Sequence, residues 1–123
     1  MNLVDSSGWL EYFADGRNVK FFAPALEDTE NLIVLTINIY EVFKRVLQQR
    51  GEDAALQAVA LMQQAGIVDV TSPIAMDAAN LSAEMKLPMA DSLILATARA
   101  FNATVWTQDA DLKGLPDVRF TKK

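Results

Sequence analysis

The sequence predicts an α/β fold with three layers, α/β/α, built on a central parallel sheet of about four to five strands. Three observations lead there. Short apolar runs alternate with stretches of helical apolar spacing, the pattern of a parallel sheet covered on both faces. The run Leu32-Ile33-Val34-Leu35-Thr36 is almost continuously apolar, as in a strand buried on both sides. Carboxylates stand at the ends of such runs, where they pack badly but where ligands of open α/β sheets gather.

The elements follow in order. Residues 2–5 read as a buried strand. Ser6-Ser7-Gly8 leads into a helix through Trp9, Leu10, Tyr12 and Phe13, with Asp5 or Ser6 as its N-cap. Asp15-Gly16 breaks it, and residues 18–26 form a short second helix carrying Val19, Phe22 and Leu26. After the strand at 32–36, residues 37–50 fit a helix, with Ile39, Phe43, Val46 and Leu47 at helical spacing. Gly51 ends it. Glu52 to Gln64 is the next helix, with Leu56, Val59, Ala60 and Met62 among its apolar positions and Gly66 as its cap. Ile67-Val68-Asp69-Val70 is a third strand. Ser72-Pro73 opens a helix that runs to about Met85, Pro being acceptable at the first helical position. Residues 86–90 connect to a strongly apolar helix from Asp91 to Phe101, which Asn102 stops. Thr104 to Thr107 is a fourth strand, and Val118-Arg119-Phe120 a short edge strand.

A chain of 123 residues with 51% hydrophobic residues is expected to be one domain with a proper core. No apolar stretch reaches the roughly 18 residues needed to span a bilayer, and no signal peptide is visible, so a cytoplasmic location without membrane attachment is expected. There is no cysteine and no histidine. That removes disulfides, thiolate metal sites, Ser-His and Cys-His nucleophiles and most zinc chemistry. Catalysis would have to use carboxylates, hydroxyls, lysine or a hard metal ion. An oxygen-only ligand set suits Mg²⁺ or Mn²⁺. The net charge of −5 does not fit a generic nucleic-acid binder. Five of the 16 acids, however, are Asp5, Glu41, Asp91, Asp109 and Asp111, and the other 11 balance the 11 bases.

Each of these acids also has an ordinary structural role open to it. Asp5 and Asp91 can cap the helices that follow them. Glu41 can pair with Lys44 or Arg45 one turn on. Asp109 and Asp111 can serve a turn. Their combination is what points to a site: two at strand ends, one in the helix directly after a strand, and one opening a helix behind a Pro-containing connector. Such clustered carboxylates repel one another unless a cation joins them. Ser6 and Thr107 are hydroxyls beside them, able to hold a water or phosphate oxygen or simply to satisfy backbone groups. Trp9, Tyr12, Phe13, Phe21 and Phe22 are mainly core residues, with a part of this dense group available for a partner or dimer surface.

The blocks Val4-Asp5-Ser6-Ser7, Ile39-Tyr40-Glu41-Val42, Pro88-Met89-Ala90-Asp91-Ser92-Leu93 and Thr107-Gln108-Asp109-Ala110-Asp111-Leu112 resemble the PIN-domain nucleases, and more narrowly the VapC-type toxins of toxin–antitoxin pairs. The resemblance runs from residue 2 to Phe120. It implies a PIN-like nuclease domain over residues 1–123 and a Mg²⁺- or Mn²⁺-dependent endoribonuclease. By position the metal-binding and catalytic acids are Asp5, Glu41, Asp91 and Asp109, with Asp111 as an additional candidate ligand and Ser6 and Thr107 as supporting hydroxyls. It also implies a homodimer, a cognate VapB-like antitoxin, and contact with DNA only through that antitoxin. Water attack with metal help would leave 5′-phosphate and 3′-hydroxyl ends. RNA affinity would need Lys44, Arg45, Arg50 and Lys86 beside the site. Two other classes are weighed against this reading. One is a catalytically silent fold that only binds RNA or protein. The other is a receiver-type phospho-acceptor domain, for which Lys113-Gly114-Leu115-Pro116 is a poor match.

Overall fold

The computed structural model describes every residue from Met1 to Lys123. Five strands form one parallel sheet: β1 (Asn2–Val4), β2 (Leu32–Leu35), β3 (Gly66–Val68), β4 (Thr104–Thr107) and β5 (Val118–Phe120). Their order is β3-β2-β1-β4-β5. Six helices connect them: α1 (Ser6–Phe13), α2 (Val19–Leu26), α3 (Thr36–Arg50), α4 (Glu52–Met62), α5 (Ser72–Met85) and α6 (Met89–Ala100). Single 3₁₀ turns occupy Thr29–Asn31 and Ala110–Leu112.

The two faces follow from the two-residue period of the strands. Leu3, Ile33, Leu35 and Val105 point to one side and meet Ile74, Ala78 and the apolar run Leu93–Ala98 of α5 and α6. Val4, Leu32 and Val34 point to the other and meet Trp9, Phe22, Val42, Val46, Ala58 and Met62 of α1 to α4. The predicted three-layer α/β/α architecture is therefore the observed one. The aromatic group belongs to the second core: Trp9 and Phe22 are buried, and Trp9 stacks on Phe13 at 5.7 Å. Gly8 lets α1 lie this close to the sheet. A Cβ there would sit 2.5 Å from Val4 Cγ1 and 2.7 Å from Phe22 Cε1.

Several boundaries differ from the sequence reading. β1 ends at Val4, because the Asp5 side chain turns back to accept from the Gly8 amide at 3.0 Å and caps α1. Thr36 belongs to α3, which starts straight from β2 without a loop. α4 ends at Met62, and Gly66 is the first residue of β3 instead of a helix cap, since its backbone pairs with Ile33. The buried stripe of α4 is Ala55, Ala58 and Met62, leaving Leu56 exposed. α6 begins at Met89, two residues before Asp91, with the Ser92 amide bonded to Pro88 O at 3.0 Å.

The strand order decides where a ligand can sit. The chain moves outward from β1 to β2 and β3, then returns to β1's other side to place β4 and β5. The crevice between the carboxyl ends of β1 and β4 is therefore the topological switch point of the sheet. This order also departs from the 2-1-3-4-5 order of receiver-type folds, so the phospho-acceptor reading fails on topology.

Candidate functional site

Four separate segments deliver acids to the switch point. Asp5 follows β1, Glu41 lies in α3, Asp91 in the first turn of α6, and Asp109 and Asp111 in the turn after β4. All five line one cavity of about 660 Å³, together with Lys44 and Arg45. Asp91, Asp109 and Asp111 come closest, with one oxygen from each lying within 4.8 Å of the others. Asp5 and Glu41 stand outside that tightest group and face the same cavity.

Asp5 is 4% exposed and fully partnered. Its Oδ1 accepts from Ser7 Oγ at 2.8 Å and from the Gly8 amide at 3.0 Å, and its Oδ2 accepts from Thr107 Oγ. The same Thr107 hydroxyl accepts from the Asp109 amide at 2.8 Å. Thr107 thus ties the strand ends of β1 and β4 together. Parallel pairing of Val4 with Trp106 sets this up by bringing Asp5 alongside Thr107. Burial pushes the Asp5 carboxyl above its usual range, and the charge of Asp109 adds to that; the hydrogen bonds from Thr107, Ser7 and Gly8 oppose it. Asp5 caps α1 and lines the cavity at the same time.

Asp91 has no capping role: it is the third residue of α6, whose N-terminal position belongs to Pro88, and no side chain caps this helix. It is buried, and its carboxyl is pushed up to about 7, first by burial and then by Asp109, Asp111 and Asp5. Asp91 is thus crowded by three other carboxylates and shares a hydrogen bond with Asp109, a setting in which a cation would relieve the repulsion. Asp109 shares roles as Asp5 does, since its Oδ1 accepts from the Asp111 amide at 2.9 Å and caps the following turn.

Glu41 does not pair with Lys44 or Arg45. Its Oε1 accepts from Ser6 Oγ at 2.7 Å, and Ser6 Oγ in turn accepts from Asn38 Nδ2 at 2.9 Å. Asn38 Oδ1 closes the chain by accepting from the Leu35 amide at 3.3 Å. Asn38 is wholly buried and was not read from the sequence. Its signal was there, because it shares the helical stripe of Val42 and Val46 and is the polar member of an otherwise apolar face. Gln108 and Asn18 were missed as well: Asn18 Nδ2 donates to Gln108 Oε1 at 2.9 Å, linking the Asp109 turn to the start of α2 across 90 residues. No local pattern foretells a contact of that span. Of the expected basic residues, Lys44 and Arg45 line the cavity, Arg50 lines the groove next to it, and Lys86 lines neither. Lys86 instead ends α5 with φ of 56°.

These donors fit a hard divalent ion: carboxylates only, converging within one ion's reach, with one of them otherwise driven to keep its proton.

A family model for the PIN domain matches residues 3–118. The chain belongs to the PIN-domain family. No protein of curated function matches the sequence. Among solved structures, the PIN domain of this chain is similar to a toxin–antitoxin complex from Klebsiella pneumoniae, with TM-score 0.83, 22% identity, and 97% of this chain and 96% of that one covered. It is also similar to the DNA-bound VapBC of Salmonella typhimurium, with TM-score 0.77, 14% identity and coverage of 99% and 98%. A third is Mycobacterium tuberculosis VapC20, a sarcin-ricin loop cleaving toxin, with TM-score 0.75, 17% identity and coverage of 97% and 99%. At these identities the likeness is one of fold. No helix of this PIN domain is long and apolar enough to cross a membrane.

Proposed function

We propose that this PIN domain is a VapC-type toxin, a metal-dependent endoribonuclease that hydrolyses RNA phosphodiesters. One observation carries the reading above all: five acids from four distant segments meet in one cavity at the switch point, and Asp91 among them caps no helix. The similarity over nearly full length to toxin–antitoxin proteins, one of them named as cleaving RNA, supports the same reading.

Asp91 and Asp109, with Asp111, would hold the ion, and Asp5 would contribute from the other strand end. Mg²⁺ or Mn²⁺ bound there would neutralise phosphate charge and make an attacking water more acidic. Asp5 is kept ionisable and oriented by Ser7, Gly8 and Thr107. Glu41, fixed by Ser6, faces the cavity and takes a proton from the water as it attacks. As the water oxygen bonds to phosphorus the phosphorus–O3′ bond breaks, the O3′ takes a proton from solvent water, and the 5′-phosphate stays on the downstream fragment. The partners in this reading are a VapB-like antitoxin, a second copy of this chain, and DNA only through the antitoxin; the VapBC structures support the first and last.

The test is cleavage of a structured RNA pool with Mg²⁺, with Mn²⁺ and with EDTA, alongside the Asp91→Asn variant. Metal-dependent cleavage that the variant loses is expected, with 5′-phosphate ends. Cleavage that persists in EDTA, or 2′,3′-cyclic phosphate ends, would overturn the mechanism. Tight RNA binding with no turnover in any metal would favour a silent binding module.

A further inference from the structure

Asn18 and Gln108 lie outside the acidic cavity and take no part in the chemistry described above. Asn18 stands at the N-cap position of α2, where Asn is favoured because its side-chain oxygen can accept from a first-turn amide. It makes no such bond. Its Nδ2 instead donates to Gln108 Oε1 at 2.9 Å and to the Lys122 carbonyl at 3.1 Å. Both hydrogens of the amide are thus used on partners 90 and 104 residues away. The Asn18 backbone is itself fixed: its amide donates to Glu11 Oε2 at 3.2 Å, and its carbonyl accepts from the Phe21 amide at 3.0 Å. A local capping bond has been given up for a rigid link between the ends of β4 and β5.

Gln108 is 8% exposed, deep for a side chain with two polar ends. Its Oε1 accepts from Asn18, and its Nε2 reaches the Ser7 carbonyl at 3.5 Å, the long limit of such a contact. An apolar side chain would fill this space without needing either partner. Position 108 is set apart by its neighbours. Thr107 bonds to Asp5, and Asp109 is one of the three acids within one ion's reach. The Thr121 amide, donating to Thr107 O at 3.0 Å, holds this segment along the sheet. The Gln108 side chain adds ties to the helical layer, at the first turn of α1 and the start of α2.

We infer that Asn18 and Gln108 are positioning residues of the metal site: their bond holds the turn after β4 so that the Asp109 carboxylate stays within one ion's reach of Asp91 and Asp111. This rests on the metal-dependent reading above and adds two residues to it. Three carboxylates within 4.8 Å of one another repel, and a turn free to swing would relieve the repulsion by carrying Asp109 away. A small divalent ion with strict geometry needs its ligands held against that tendency. Asp91 is held by a helix, whereas Asp109 and Asp111 stand on a single 3₁₀ turn. The far end of that turn is pinned by Leu112, which is wholly buried. Gln108 sits at the near end, directly before Asp109.

The experiment reads metal affinity and not turnover. Mn²⁺ is titrated by calorimetry into the full chain and into Asn18→Ala, Gln108→Met and the double variant. Methionine keeps the length of glutamine and removes both polar ends. Loss of a group that orients metal ligands typically weakens binding by about 10- to 100-fold. Each single variant should bind Mn²⁺ about tenfold more weakly than the parent. The double variant should bind no more weakly than the weaker single one, because both changes remove the same bond. Circular dichroism and urea unfolding in EDTA verify that affinity is read on folded protein. Ile74→Val, a core substitution in α5 outside the cavity, should lower the urea midpoint and leave Mn²⁺ affinity unchanged. Asn18 is half-buried, so Asn18→Ala decides the matter by itself if Gln108→Met does not fold. The inference fails if a folded single variant binds Mn²⁺ as the parent does, or if the losses multiply in the double variant. It also fails if Ile74→Val weakens binding as much as they do, since affinity would then only follow stability. A parent that binds no Mn²⁺ overturns this inference together with the metal-dependent reading. A parent that binds Mn²⁺ and cleaves no RNA overturns the nuclease reading and leaves the positioning role standing.

Discussion

Replacing Thr107 by Val should damage this protein far more than the loss of one hydroxyl suggests. The Thr107 side chain is wholly buried and its Oγ makes two bonds, donating to Asp5 and accepting from the Asp109 amide at 2.8 Å. Valine preserves the shape and removes both. The bond to a charged carboxylate contributes about 1.5–3 kcal/mol, and a stranded amide costs about 1 kcal/mol more. The expected loss is about 2.5–4 kcal/mol, a large share of the stability of a domain this size. Urea unfolding in EDTA at pH 8 measures it, and the midpoint of thermal unfolding should fall by roughly 10 °C. The loss should shrink as pH falls through the range in which the buried Asp5 takes up its proton, because the Thr107 bond favours the ionised form of Asp5 and matters less once that group is protonated. Thr107→Ser is the control: it keeps both bonds and gives up one buried methyl, at about 1 kcal/mol. A valine variant as stable as the parent, or a serine variant less stable than the valine one, would refute this role for the hydroxyl.

Two further predictions concern the same region. Asp91, pushed up to about 7 in the folded protein against 3.8 as its ordinary value, binds a proton more tightly folded than unfolded. Its contribution to metal-free stability is therefore full below about pH 4 and is lost as pH rises through about 7. Metal-free unfolding temperature should decline from pH 5 to pH 8, Asp91→Asn should flatten that decline, and Mn²⁺ added at pH 8 should raise the temperature of the parent much more than that of the variant. An unchanged pH profile in Asp91→Asn would show that the cluster does not hold this proton. Gly8→Ala places a methyl 2.5 Å from Val4 Cγ1 and should cost about 1–3 kcal/mol by pushing α1 off the sheet. Since α1 carries Ser6 and Ser7, cleavage should fall along with the urea midpoint; a neutral Gly8→Ala would mean that α1 can shift freely.

The periodic elements were readable because their signals are local. β2 announces itself by four consecutive buried apolar residues, and α5 by Ser72-Pro73, so both were found close to their true limits. The short edge strand β3 was displaced because its limits are set by backbone pairing with β2, a property of the partner and not of Ile67-Val68. The sequence reading starts α6 at Asp91, after the Pro-containing connector; in the fold the helix has already begun at Met89, so Asp91 sits inside its first turn and caps nothing.

The sequence by itself determined the class of the fold, the oxygen-only chemistry open to a chain without histidine or cysteine, and which acids stand at the ends of strands. These depend on residue type and near spacing. Tertiary structure alone decided that Asp5 and Asp109 face each other through Thr107, that Asn38 and Ser6 aim Glu41, and that the cations of α3 continue the acidic cavity as a groove. The physical reason is the strand order. With β1 between β2 and β4, residues about 100 positions apart become neighbours at one crevice, and no local pattern in the chain specifies which neighbours those will be.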